Sequence, residues 1–395
     1  MNMHNTKMLR AALLLAVVVT EGNLAQAQSC SATWTGNAGN GSWSTPGNWS
    51  PHKVPDSTSD VCIPTFTTAN GAGLDGSNPS ISVHSIQVAE GAGLLFGSGK
   101  ASIATSLNNQ GLISLYGTTL SAGAIDMPNP GEIDVFANSS ITSPAFSNTT
   151  GTLWVYPGGT LRLADNPVQL QNENLSGGNW LVSGVLIFPS DISQITTEPG
   201  AAYDTVVSVD TGATFEDAKG NNPLTTLTSV GPNAVLSVPS LTVAQNLTSQ
   251  GSVSVGTLTV NGTYTLESGA SAGVSGSLTA TSVIVQPGAT LQGGGTVASS
   301  VTNNGNVAPG NLTVPGNYSQ ASSASLTEQF GYTLHVNSNA TLSGALKVTV
   351  NPKRPPKSGA TYTALPAGSI NGSFTSHTAG FALATNANSI QVTKQ

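Results

Sequence analysis

The chain has 395 residues, of which 38% are apolar, 5% aromatic and only 7% charged, with 45 glycines and a formal net charge of −7. Average soluble proteins carry roughly 25% charged residues, and low charge combined with this apolar content falls outside the composition of disordered segments. The few basic residues are scattered, which excludes nucleic acid as a partner because phosphates require a basic face, and there is no basic amphipathic segment to meet a membrane surface.

Residues 1–27 carry Lys7 and Arg10, the apolar run Ala11 to Val19, and Ala25-Gln26-Ala27, a small-x-small cleavage pattern. This reads as a secretory signal peptide. Its removal takes away Lys7, Arg10 and Glu21 and leaves the balance acidic, so the exclusion of nucleic acid is unchanged. No later stretch approaches the ~20 apolar residues of a membrane-spanning helix.

Residues 28–77 read as an N-terminal cap. Cys30 and Cys62 are the only cysteines; in an exported chain the pair suggests a disulfide, the alternative being a lipidated Cys30. Between them stand Trp34, Trp43 and Trp49. Large aromatics pinned near a disulfide suit the covering of an open solenoid end; the rival reading is a sugar-stacking platform.

From Gly111 to Leu170 three blocks of equal length align without gaps, opening at Gly111, Gly131 and Gly151. Each glycine is followed by alternating aliphatics, Ile113 and Leu115, Ile133 and Val135, Leu153 and Val155, as in strands whose alternate side chains face a core. A period of about 20 residues with two or three short strands indicates a solenoid, since one such unit cannot bury its apolar side alone. Helical periodicity is absent after residue 28, so the expectation is an all-β parallel β-helix over residues 78–350, with about ten to thirteen rungs and capping strands in 351–395; a β-sandwich array is the other all-β option. The form V-x-x-G-[AG]-x-[LF] recurs at Val88, Val155, Val209 and Val285, where glycine supplies the positive φ of a turn. Asparagines precede turn glycines at Asn108-Asn109-Gln110-Gly111 and Asn303-Asn304-Gly305 and suit stacked ladders.

Between about Pro167 and Asn222 the repeat loosens, and loops on rigid scaffolds are where function concentrates. The nearest candidate site is Glu216, Asp217 and Lys219, with Asp204 and Asp210 as remoter partners, because sugar-polymer cleavage needs grouped carboxylates or a carboxylate with a base. Adjacent acids on a loop also read simply as a solvated turn. The histidines are isolated, with no metal-ligand spacing, and neither a calcium nonapeptide nor a phosphate-cradling loop occurs. No cofactor is expected. The basic cluster Lys353-Arg354-Pro355-Pro356-Lys357 reads as an exposed turn, with contact to an acidic polymer as its functional alternative.

Trp34-Thr-Gly, Gly41-Ser-Trp43-Ser, Asn48-Trp49, Val54-Pro55 and Asp60-Val-Cys-Ile63 at one end, and Gly305-Asn-Val-Ala-Pro-Gly310, Leu312-Thr-Val314 and Gly316-Asn-Tyr318 at the other, resemble bacterial exported β-helix proteins of the autotransporter-passenger-like type. Leu342-Ser-Gly344 and the Gly359 to Phe374 stretch extend the match, which frames nearly the whole mature chain. The resemblance implies a periplasmic, cell-surface or extracellular location. In such passengers this close is followed by a membrane barrel; the sequence here runs to Gln395 without one, so further export would need another machine. The expected function is a structural or adhesive scaffold contacting a polysaccharide or cell-surface polymer without catalysis. The alternative is a polysaccharide lyase or glycosidase on the same fold.

Overall fold

The computed structural model describes residues 29–65, 74–75, 80–197 and 204–395; the expected signal peptide lies outside them. The chain winds as a parallel β-solenoid of about 13 turns, with 56% of residues in strands and no α-helix among the described residues. At ~4.8 Å per rung this stack rises about 60 Å.

Each rung has three sides, met in the same order. In one of them Leu112–Leu115 forms the first face and the strand Thr118–Asp126 supplies the second face and, past a register shift, the third. The regular period of this region places Ile113 beside Ile133 and Ile133 beside Leu153 in consecutive parallel ladders. The alternation then directs Ile113, Leu115, Ile133, Val135, Leu153 and Val155 into the interior, where all are buried. The three blocks therefore stack in the expected register.

The turn glycines of the recurrent motif, Gly91, Gly158, Gly212 and Gly288, all have positive φ, between 73° and 88°. The asparagines act differently from a stacked ladder. Asn109 and Asn303 are buried at the corner between third and first faces, each accepting from the N–H two positions on and donating Nδ2 to a first-face carbonyl of the next rung, Glu132 O and Ser325 O. Asn148 makes the corresponding bond to Asn179 O at 3.4 Å. A buried side-chain amide thus satisfies backbone groups that the corner leaves without ladder partners.

The period is not constant. Glu132 and Thr152, partners on the first face, stand one regular repeat apart in the chain. The next steps, Thr152 to Asn179, Asn179 to Val206 and Val206 to Val235, are all longer, and the step from Val235 to Ser252 is shorter than the regular repeat. First-face pairing continues through all of these rungs, so the surplus is taken up at corners. Two ladders are interrupted. On the third face Phe146–Ser147 pairs only with the strand above, and the face restarts with the antiparallel pair Leu170–Gln171 and Asn174–Ser176. On the second face Thr214–Asp217 pairs with Val185–Phe188 above, and Ser240 to Val243 pair only with the rung below.

At the N-terminal end Ala32–Trp34 pairs in parallel with Asp60–Ile63, extending the third face. Trp34, Trp43 and Trp49 are buried in edge-to-face contacts with centroids 5.0 and 4.7 Å apart. Buried in this way, the three rings present no face on which a sugar could stack. Cys30 and Cys62 form a disulfide, with Cα atoms 5.7 Å apart. At the other end the strand Thr361–Gly372 takes a parallel place in the stack and also pairs antiparallel with Ser389–Lys394, which in turn pairs with Phe381–Asn386.

Candidate binding face

The loop singled out by its charges is a turn. Asp217 accepts hydrogen bonds from the N–H groups of Lys219 and Asn221 at 2.7 and 2.8 Å and from Asn221 Nδ2 at 3.1 Å. The Asn221 backbone bond above all holds its carboxyl below the usual range. Asp217 is thus occupied in closing the loop, and Lys219 is exposed. Glu216 and Gly220 line a cavity of about 300 Å³ with Phe215, Leu224, Val238 and Pro239, at the place where the second-face ladder is interrupted. Asp210 is elsewhere engaged, accepting from Ser183 Oγ at 2.5 Å. The structure does not bring Asp204 or Asp210 together with the pair, and among the described residues no group of three or more His, Cys, Asp or Glu could hold a metal ion.

The first face carries more. Because side chains alternate, one outward residue of every rung falls in a single column along the axis: Asp134 stands beside Trp154, Trp154 beside Leu181, and further on Ser254 beside Gly273 and Gly273 beside Gln292. The N-terminal half of this face is aromatic. Tyr116, Phe136 and Tyr156 follow their strands at equivalent positions and stack with centroids 4.8 and 4.4 Å apart, and Trp154 closes the column on Tyr156 at 4.2 Å. Such spacing follows from the rung height, so the rings contact face to face without leaving the register. Small residues stand at both ends, Gly97 above Tyr116 and Ser183 below Tyr156; Ser183 Oγ accepts from Trp154 Nε1 at 3.2 Å. Tyr116 is 41% exposed.

Under these rings lies Asp134, outward by register yet only 6% exposed. Burial pushes its carboxyl up to about 7, the negative charge of Glu132 adds to the rise, and a hydrogen bond from Tyr156 opposes it. Its Oδ1 has no partner. Burial and the two acids likewise raise the Tyr156 phenol. A buried carboxyl raised toward neutral pH beside a second acidic residue has the form of a general acid's environment.

The C-terminal half of the same face is hollow. A shallow groove of about 570 Å³ is lined by Ser254, Gly273, Gln292, Ala308, Thr327, Gln329, Tyr332 and Thr349 together with glycine and proline backbone, and holds no acidic or basic side chain. The groove offers hydroxyls, amides and one phenol ring, which bind by hydrogen bonds and stacking.

Neither feature follows from the repeat pattern alone. The aromatic column had a signal, an aromatic at the sixth position of each aligned block at Tyr116, Phe136 and Tyr156. The groove had none beyond an outward glycine in the strand at Gly273.

Compared with protein-family models, curated proteins and solved structures, the chain has no match.

Proposed function

We propose that this is an exported or surface-associated structural and adhesive scaffold, which holds a polysaccharide or cell-surface polymer along its first face without catalytic turnover. The observation that carries the reading is the groove: its lining has hydrogen-bonding groups and no side chain able to act as a strong acid or base near neutral pH. Repetition at the rung spacing suits many weak contacts, whose sum through multivalency retains a polymer that no single contact would hold. The signal-like segment 1–27 and the resemblance at the two ends support export, and the disulfide accords with an oxidising compartment. No helix among the described residues is long and apolar enough to cross a membrane.

The test incubates purified protein with neutral and acidic polysaccharides, scoring retention on the polymer as well as new reducing ends or unsaturated products. Retention without product is expected.

A second reading, a polysaccharide-acting enzyme, is favoured by the buried Asp134, whose carboxyl is pushed up to about 7 by burial and by the neighbouring Glu132. Turnover abolished by Asp134→Asn, Glu132→Gln or, in the other cavity, Glu216→Gln would establish the enzyme and overturn the scaffold.

A further inference from the structure

We propose that the groove takes an uncharged glycan chain, laid along the solenoid axis with one pyranose face against Tyr332; this rests on the polymer-binding reading above and names its ligand class and its place.

The floor points to a ligand because its central glycine is not demanded by the fold. A Cβ on Gly293 would collide with Val274 O, at a φ of 128°, so that position requires glycine. Gly273 is different: its Cβ would meet nothing nearer than Ser254 Oγ at 3.9 Å, and its φ is ordinary. Glycine inside a strand weakens it. Here it sits at an outward position where the backbone tolerates any side chain, and its effect is to leave the groove open over Gln292 and Ala308 in register below.

The walls select the chemistry. Gln292, Gln329, Thr327 and Thr349 can donate and accept, as sugar hydroxyls do, and Tyr332, 39% exposed, offers a ring at the edge. A uronate carboxylate seated between Ser254 and Ala308 would lose hydration with no cation beside it. The cations gather at the far end, with Lys347 one rung past Thr327 and Lys353, Arg354 and Lys357 exposed in the turn that follows. Peptide binding by strand addition is also disfavoured, since the strands flooring the groove already pair with rungs on both sides. From Ser254 to Thr327 the floor covers about 20 Å, room for several sugar units end to end.

The experiment measures affinity electrophoresis and calorimetry of the whole mature protein with a soluble linear β-glucan and with polygalacturonate of matched length. Gly273→Leu, Tyr332→Ala and the control Thr119→Ala, exposed on the second face away from the groove, are compared after their melting temperatures are shown to be equal. Retention by the glucan is expected, weakened at least tenfold by Gly273→Leu and by Tyr332→Ala and unchanged by Thr119→Ala. Should Gly273→Leu fail to fold, the exposed Tyr332→Ala decides alone. Undiminished glucan retention by the groove variants would overturn the site while leaving the scaffold reading intact. Preferential retention by polygalacturonate would overturn the uncharged class. Retention by neither polymer would overturn this inference and the polymer-binding reading together.

Discussion

Tyr362 Oη donates a hydrogen bond to Glu328 Oε2 at 3.2 Å, from the closing strand of the solenoid to a carboxyl wholly buried in its interior. The other oxygen, Oε1, has no partner. Desolvation holds this carboxyl well above its ordinary range, against the opposing bonds from Tyr362 and the Leu334 backbone. In the adjoining rungs Asn303, Tyr318 and Gln320 show a satisfied alternative, with Asn303 Nδ2 donating to Tyr318 Oη at 2.9 Å and Tyr318 Oη to Gln320 Oε1 at 2.7 Å.

Glu328 makes stability depend on pH. The folded protein binds its proton more tightly than the unfolded chain, so the stability this group gives is full below the ordinary glutamate range and falls as pH rises above it. Asp134 acts in the same sense, its contribution lost between the ordinary aspartate value of 3.8 and about 7. Thermal melts at pH 4.5, 6 and 8 should therefore show a falling transition. Glu328→Gln with Asp134→Asn should flatten that slope by on the order of 2 kcal/mol; an unchanged slope would show that neither carboxyl is held neutral.

Ile133 faces the core between Ile113 and Leu153. Ile133→Asp should bury an unpaired charge and cost about 3 kcal/mol or more. Thr119→Asp, exposed on the second face beside Lys100 and Ser140, should stay within roughly 0.5 kcal/mol. Denaturant titration of the two variants checks the register, and equal midpoints would refute it.

The disulfide closes a sequence separation of 32 around the tryptophan cluster. Mass spectrometry of non-reduced protein should find Cys30 joined to Cys62. Cys30→Ser should lower stability by about 3 kcal/mol on the loop-entropy account. A diacylglyceryl group on Cys30 would contradict the pairing.

Phe136 lies between Tyr116 and Tyr156. Phe136→Ala should remove both stacking contacts, at a cost of about 1–2 kcal/mol, and reduce the near-ultraviolet dichroism of the column. Trp154 emission should shift to the red as the stack loosens; an unmoved spectrum would mean the rings do not stack in solution.

Much of the scaffold could be read along the chain, because its determinants are local. Ile113 and Leu115 alternate, the next glycine restarts the pattern, and Gly158 or Gly288 turns the corner, all within a short stretch. Even Glu328 could be seen to point inward, two positions after Leu326. The site was harder because it is made between rungs. Asp134 alternates outward and reads as solvated, yet it is buried beside Trp154 and hydrogen-bonded by Tyr156, both a full repeat further along the chain. The opening at Glu216 was legible as a loosened repeat, but the broken ladder behind it depends on where Ser240 to Val243 lies, a distance no local pattern fixes. The groove over Gly273 is a shape, and shape emerges only once the rungs are stacked.

The long step from Val206 to Val235 and the short one from Val235 to Ser252 each advance the stack by a single rung. Height and chain length are therefore independent variables in this molecule, with rung number setting the first and corner size the second. Lengthening a flexible loop adds only about 0.6 kcal/mol per doubling, so the turn at Lys219 and Gly220 is a natural port for a grafted epitope or reporter. A cargo placed there would ride on the second face, around the corner from the groove and at a height known in advance to within one rung.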